Sequence, residues 1–170
     1  MFLSKHILPR EVSILKIKYT ELLIFIVSAE LVGALSALIT GDFDSFFDRY
    51  ASPPLMPHSW LFSVVWAVLY ALMGISAYLI YFSHGSADKK RALWLYAAQL
   101  AVNFSWSMVF FKYEKLWAGA AVIILLIVLV VLMITVFKKI SPTAARLNIP
   151  YLLWLIFAAY LNIATAIING

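Results

Sequence analysis

Long apolar runs separated by short polar segments dominate the sequence. Five runs, each about as long as a bilayer-spanning helix, cover residues 21–40, 59–82, 92–111, 116–137 and 147–168. A helix that crosses a bilayer needs roughly 20 mostly apolar residues. The runs do not alternate between apolar and polar positions, as barrel strands do, and a helix satisfies its own backbone hydrogen bonds within lipid. The pattern predicts an all-α integral membrane protein built as a bundle of five transmembrane helices.

Composition fits one compact membrane domain. Residues 1–20 are predicted to form a polar tail and residues 21–170 the transmembrane domain. Hydrophobic residues make up 65% of the chain and charged residues 12%, against about 25% charge in a soluble domain. The absence of cysteine excludes disulfides, thiolate metal sites and a cysteine nucleophile. We interpret the net charge of +5 as a membrane-orientation signal, with no nucleic-acid partner.

The basic residues favour one orientation. If five helices cross, the basic residues of the tail and of the second and fourth connections share one side, whereas the other side has only Arg49, Lys112 and Lys115. The positive-inside rule then places the N-terminus in the cytoplasm. The longest connection, residues 41–58, lies outside, and its Pro53, Pro54 and Pro57 stiffen it and keep that part from being helical. We interpret residues 41–58 as a rigid lid.

Aromatic and amide side chains inside the predicted helices are the main candidates for a site. Trp60, Trp94 and Trp117 lie near helix ends, as interfacial tryptophans do, whereas Trp66, Trp106 and Trp154 lie within helices. Gln99 and Asn103 share a helix face with Trp106 and must be paired or face a cavity, because a lone amide is costly in lipid. The spacing alone favours interhelical hydrogen bonding and packing. The alternative is a cavity for a large, flat, apolar ligand.

Glu30 is the only charged residue near the middle of a predicted span. An intramembrane carboxylate is a functional-site hypothesis by default. The alternative is a structural acid that is protonated or bonded to Asn103, Asn162 or a tyrosine. On the same helix, Gly33, Ala37 and Gly41 form a small-residue stripe that permits close helix approach, within the bundle or between two copies. No catalytic or metal-binding pattern is found in the sequence.

Three stretches resemble the TspO/MBR family, which comprises the tryptophan-rich sensory proteins and the mitochondrial translocator protein (peripheral benzodiazepine receptor). They are PPLMPHSWLFSVVWAVLYALMGIS from Pro53 to Ser76, QLAVNFSWSMVFF from Gln99 to Phe111, and SPTAARLNIPYLLWLIFAAYLN from Ser141 to Asn162. The resemblance implies a five-helix fold, usually a homodimer, with a ligand pocket beneath the loop between the first two helices. It also implies tetrapyrroles, such as protoporphyrin IX or heme, as ligands, and no required cofactor.

The resemblance also implies which residues bind the ligand. The family's pocket positions match Pro57, Trp66, Asn103, Trp154 and Ala158, with the two tryptophans stacking on the ligand and Asn103 supplying a polar contact. We add Phe47 in the lid, where Phe46 and Phe47 stand in place of the family's usual Trp-Tyr pair, so that Phe47 offers no hydroxyl. Ser52 replaces a common lysine, and the animal cholesterol motif is not found after Asn162. The short end at Gly170 implies a prokaryotic member in the plasma membrane.

Three functions follow from these expectations. The first is a membrane receptor or sensor that binds tetrapyrroles and takes part in their transport or regulation. The second is light-dependent porphyrin degradation, in which Trp66 and Trp154 serve as redox partners. The third is a proton-coupled small-molecule transporter that uses Glu30.

Overall fold

The computed structural model describes residues 18–41, 43–84 and 87–170, except for the side chains of Phe43, Asp44 and Phe47. This described part is all-helical and has no strand. The helices are α1 (Tyr19–Thr40), α2 (Phe43–Arg49), α3 (Ser59–Tyr81), α4 (Lys89–Ser107), α5 (Leu116–Ile140), α6 (Pro142–Leu147) and α7 (Ile149–Asn169), and a π-helical segment, Met108–Lys112, continues α4. Most of the predicted tail lies outside the described residues, and α1 begins at Tyr19.

Four helical segments in the described part are long and apolar enough to cross a membrane. They are Tyr19–Thr40, Ser59–Tyr81, Leu116–Ile140 and Pro142–Asn169, the last of which joins α6 to α7. The remaining long helix, α4, is less apolar because it begins with Lys89, Lys90 and Arg91 and carries Gln99 and Asn103 inside. Both amides are buried, so the polarity of α4 faces the bundle interior. The predicted all-helical membrane fold is therefore confirmed, and four helical segments of the described part meet the length and hydropathy requirement for a span.

Packing of the long helices leaves α1 at the edge of the bundle. Helix α1 packs chiefly on α3, α4 packs on α5, and α5 packs on α7. Helices α1 and α3 approach each other closely at Gly74, where an added Cβ would lie 2.6 Å from the Cα atom of Ile26. Toward the lid, α1 is mostly exposed, and Leu31, Leu35 and Leu38 face outward. Exposed apolar side chains on a spanning helix are expected to face lipid.

The lid begins with a helix that the sequence analysis did not predict. Helix α2 occupies Phe43–Arg49, and residues 51–58 are non-helical, as their three prolines require. A second short helix, α6, precedes α7. It starts with Pro142 at its first position, and the Ser141 hydroxyl accepts a hydrogen bond from the Ala144 amide at 3.3 Å.

Candidate functional site

A cavity of about 280 Å³ lies between α1, α3 and the end of α4, on the lid side of the Gly74 contact. Its wall is made mainly of aromatic and small side chains. The lining residues are Glu30, Gly33, Ala34, Ser36, Ala37, Ser59, Phe62, Ser63, Trp66, Ala67, Tyr70, Asn103, Trp106, Ser107 and Phe111. Four of them, Ala34, Ala37, Ser63 and Ala67, are exposed. The cavity therefore opens sideways, between α1 and α3, through a mouth of small residues.

Trp66 is at the centre of the aromatic wall. Its ring centroid lies 5.7 Å from that of Tyr70, one helical turn along α3, and 5.8 Å from that of Trp106 on α4. Aromatic pairs at such separations contribute about 0.5–1.5 kcal/mol beyond their area burial. The Trp106 Nε1–H donates to Asn162 Oδ1 at 2.9 Å, which fixes that indole. The result is a wall of tilted aromatic rings, 35° and 39° from the plane of Trp66, that offers ring faces to a planar ligand.

Behind this wall, a chain of hydrogen bonds joins α3, α4 and α7. The Tyr70 hydroxyl donates to Asn103 Oδ1 at 2.9 Å, and Asn103 Nδ2 donates to the Tyr151 hydroxyl at 2.8 Å. The Tyr151 hydroxyl in turn donates to Gln99 Oε1 at 2.9 Å. The inward placement predicted for Gln99 and Asn103 is confirmed. The amides make interhelical hydrogen bonds, and Asn103 also lines the cavity, whereas the binding of a flat ligand there stays a prediction.

Glu30 lies in the cavity wall on α1, beside the backbone of Ala71 on α3. The predicted pairings with Asn103 and Asn162 are not found, because Asn103 bonds to two tyrosines and Asn162 bonds to Trp106 and to the Ala158 carbonyl. In the same wall, the buried Ser36 hydroxyl has no hydrogen-bond partner.

The small-residue stripe of α1 faces the bundle over most of its length. A Cβ added at Gly33 would lie 2.3 Å from the Tyr70 ring, so only glycine fits there without moving that ring. Ala37 lines the cavity. Gly41 ends α1 with a φ of 90°, which suits glycine, and has no atom within 4 Å of an added Cβ. Gly33 therefore leaves room for the Tyr70 ring, and Gly33 and Ala37 both form part of the cavity wall.

The π-helical segment joins the cavity to the lid. Its extra residue per turn brings the adjacent Phe110 and Phe111 both against Phe46, whose centroid lies 5.2 and 5.1 Å from theirs. Phe46 is only 1% exposed, and it fixes α2 on the end of the bundle. Since Phe111 also lines the cavity, its ring connects the lid to the cavity wall. Short π segments occur frequently at functional sites.

Polar contacts hold the rest of the lid in place. Arg49 forms an ion pair with Glu114, and the Tyr50 hydroxyl donates to Glu114 Oε2 at 2.9 Å. This hydrogen bond, with partial burial and the carboxylate charge, raises the pKa of Tyr50 above its ordinary value. Asn169 pairs with both backbone groups of Ala51, at 2.8 and 3.0 Å. The Tyr160 hydroxyl donates to the Pro54 carbonyl at 3.0 Å.

The predicted ligand-binding residues fall into two groups. Trp66 and Asn103 both line the cavity. Trp154 is set back from the wall and packs edge-to-face on Phe62, with its buried indole N–H lacking an acceptor. Ala158 is buried near Asn162, and the half-buried Pro57 precedes α3, so neither lines the cavity. The side chain of Phe47 lies outside the described residues.

The sequence analysis missed Ser36, Phe62 and Phe111 as wall residues. Phe62 lies four residues before Trp66 on the same face of α3, so its helical spacing was a usable signal. Ser36 had no such signal, because a single serine in a spanning helix commonly bonds to its own backbone. Phe111 depends on the π segment, which no sequence pattern indicated.

The TspO/MBR family model matches residues 25–168. The chain belongs to the TspO/MBR family. The translocator protein of Ovis aries is 37% identical over 121 residues, which cover 68% of this chain and 72% of the relative. The tryptophan-rich protein TspO of Chlorobaculum tepidum is 34% identical over 73% of this chain and 79% of its own length, and that of Archaeoglobus fulgidus is 34% identical over 80% and 94%. Membership in TspO/MBR and the apolar helices identify a multi-pass membrane protein.

Proposed function

We propose that this TspO/MBR protein is a membrane receptor or sensor that binds a tetrapyrrole, such as protoporphyrin IX or heme, and takes part in its transport or regulation. The observation that carries the proposal is the cavity walled by Phe62, Trp66, Trp106 and Phe111 next to the lid. Stacking on fixed aromatic rings suits a large, flat, apolar ligand. Relatives named translocator protein and tryptophan-rich sensory protein support a transport or sensory role.

The cavity must widen before it can hold a tetrapyrrole. Its volume of about 280 Å³ lies just below the range of ligand pockets, which span about 300–1,000 Å³. A four-ring macrocycle therefore fits only if a side chain of the cavity wall moves. Phe62 is the natural side chain to move, because it separates the cavity from Trp154, whose indole N–H is still without an acceptor. On this proposal, Trp154 contacts the ligand only after Phe62 has moved.

The test is a titration of the purified protein with protoporphyrin IX in the dark, followed by tryptophan quenching. We expect saturable binding that weakens by about ten-fold in Trp66→Phe, because stacking and packing on the indole are reduced. Trp154→Phe is expected to weaken binding too. The matched control is Trp94→Phe, which removes an indole that is 67% exposed on the first turns of α4. Binding that does not saturate, or that weakens equally in all three variants, would rule out this assignment.

The position of Glu30 in the cavity wall favours a second candidate, a proton-coupled transporter. A carboxyl group beside a ligand can take up or release a proton as the ligand moves. Flux of protoporphyrin IX into sealed vesicles, lost in Glu30→Gln while binding persists, would support transport over sensing. Light-dependent degradation by Trp66 and Trp154 is tested on the same samples, by loss of porphyrin absorbance under illumination.

We further propose that α4 and its π segment form the fifth span, because their polar side chains Gln99 and Asn103 face inward. The ends of the helices then separate Lys138, Lys139 and Arg146 from the lid, and the positive-inside rule places those residues in the cytoplasm. We also propose that the protein forms a homodimer and lies in a prokaryotic plasma membrane.

A further inference from the structure

We propose that Glu30 selects which edge of a flat ligand faces α1: an edge that carries a positive charge or an N–H donor is bound, and an edge that carries a carboxylate is rejected. This rests on the proposed function only in that the cavity binds a flat aromatic ligand. It adds the chemical class of group that the cavity accepts. A tetrapyrrole would then bind with its carboxylates directed away from α1.

The charge of the wall is the first observation. Among the described residues that line the cavity, Glu30 is the only charged side chain, and no lysine, arginine or histidine is present there. A carboxylate in a site surrounded by apolar side chains interacts strongly with a nearby charge, since water does not screen it as it does in bulk solvent. A cationic ligand gains from this field, and an anionic ligand finds no compensating partner.

The stripe on α1 leaves the carboxylate accessible. Gly33, Ala34 and Ala37 follow Glu30 on the same helix face and also line the cavity. None of them has a side chain larger than a methyl group, so nothing on α1 covers Glu30 on the side toward the lid. The exposed positions of Ala34 and Ala37 at the mouth place the carboxylate on the way into the cavity.

Two other polar side chains of the wall, Asn103 and Tyr70, are already hydrogen-bonded. Both polar atoms of Asn103 bond to tyrosine hydroxyls, and the Tyr70 hydroxyl donates to Asn103. In contrast, the Ser36 hydroxyl is buried, 3% exposed, and has no partner. Burying a polar group without a hydrogen bond is costly, so Ser36 gains from a ligand that bonds to it. Glu30 and Ser36 are the polar side chains that α1 contributes to the cavity wall, whereas Trp66 and Trp106 come from α3 and α4.

Three acridines of similar shape test this selectivity. The probes are 9-aminoacridine, a flat cation at neutral pH, acridine itself, and the anion acridine-9-carboxylate. Each is titrated into the full chain in phosphatidylcholine nanodiscs, with tryptophan quenching as the readout and empty nanodiscs as the background. The variants are Glu30→Gln, which keeps the shape and removes the charge, and the control Glu21→Gln, which removes a carboxylate that is paired with Lys18 at the start of α1. Size-exclusion profiles and circular dichroism establish that each variant is folded.

We expect the unsubstituted chain to bind the cation roughly ten-fold or more tightly than the anion, as expected for a hydrogen bond to a charged group. Glu30→Gln should reduce this ratio by about ten-fold, whereas Glu21→Gln should preserve it. Equal affinity for cation and anion in the unsubstituted chain would overturn the proposal whether or not the variant folds, and so would a ratio unchanged in Glu30→Gln.

Protoporphyrin IX, titrated in the same nanodiscs, separates this inference from the proposed function. We expect Glu30→Gln to leave its affinity unchanged or increased, because the propionates avoid Glu30. A five-fold or greater loss would contradict the orientation inferred for the ligand. Cation-selective binding without any protoporphyrin binding would remove the tetrapyrrole assignment and leave the role of Glu30 intact.

Discussion

The Tyr151 hydroxyl of α7 joins two buried amide side chains of α4. It accepts from Asn103 and donates to Gln99, so two amides depend on one oxygen. The side chain itself is fully buried. Hydrogen bonds between helices in membranes are individually modest, about 0.6–2 kcal/mol, but an unpaired buried amide costs more than an unmade exposed contact. Tyr151 therefore holds the back of the cavity wall in position.

Tyr151→Phe should lower the stability of the protein by about 1–3 kcal/mol, because Asn103 Nδ2 and Gln99 Oε1 both lose their partner with no water to replace it. Thermal unfolding in detergent, followed by circular dichroism, measures the effect. The control is Tyr19→Phe, which removes the same atom from a side chain that is 77% exposed. Equal melting temperatures for the two variants would show that the network contributes nothing.

Much of this site could be predicted residue by residue from spacing. Trp66 and Tyr70 lie one turn apart, and Gln99, Asn103 and Trp106 share a face, so their inward placement follows from helix geometry. The partners across the helices do not follow, because the sequence does not say which helices touch. This is why Glu30 was assigned possible bonds to Asn103 and Asn162 that the packing gives to other residues.

The structure of the lid could be predicted only in part from the sequence pattern. Its prolines predicted the non-helical part correctly, but α2 was not predicted, because seven residues give too short an apolar pattern to recognise. Helix α2 is held by tertiary contacts, chiefly the buried Phe46 against the π-helical segment. The lid is thus held on the bundle by several separate contacts. One of them, the Arg49–Glu114 ion pair, is half-exposed and contributes at most about 1 kcal/mol to stability.

Asn169→Ala should loosen the lid more than any single change at the ion pair, because it removes both hydrogen bonds to the backbone of Ala51. We expect the Ala51 amide to exchange with deuterium faster, by about ten-fold. Hydrogen exchange resolved to single amides measures the effect. Ile167→Ala, at an exposed neighbour on the same helix, is the control and should leave the exchange of Ala51 unchanged. Unchanged exchange at Ala51 in Asn169→Ala would mean that other contacts alone hold the lid.

The two ends of the cavity differ in the space between α1 and α3. Near Gly74, α1 and α3 approach too closely for a side chain, whereas toward the lid they separate and leave the cavity with its lateral mouth. The positions of the long apolar helices could be predicted from hydrophobic length, since few alternatives satisfy a bilayer. The place where α1 separates from α3 could not be predicted from the sequence, because it depends on where the smallest side chains of the two helices meet. A ligand dissolved in the membrane would reach the cavity through this mouth without crossing the lid.

Blocking the mouth tests most directly whether the ligand occupies this cavity. The chain has no cysteine, so Ser63→Cys and Val64→Cys each introduce a single thiol. Both positions are exposed on α3, but only Ser63 lines the cavity. Each variant is alkylated with a bulky maleimide and titrated with protoporphyrin IX before and after. We expect alkylation to abolish saturable binding in Ser63→Cys and to leave it unchanged in Val64→Cys. Equal binding by both alkylated variants would place the ligand elsewhere on the protein.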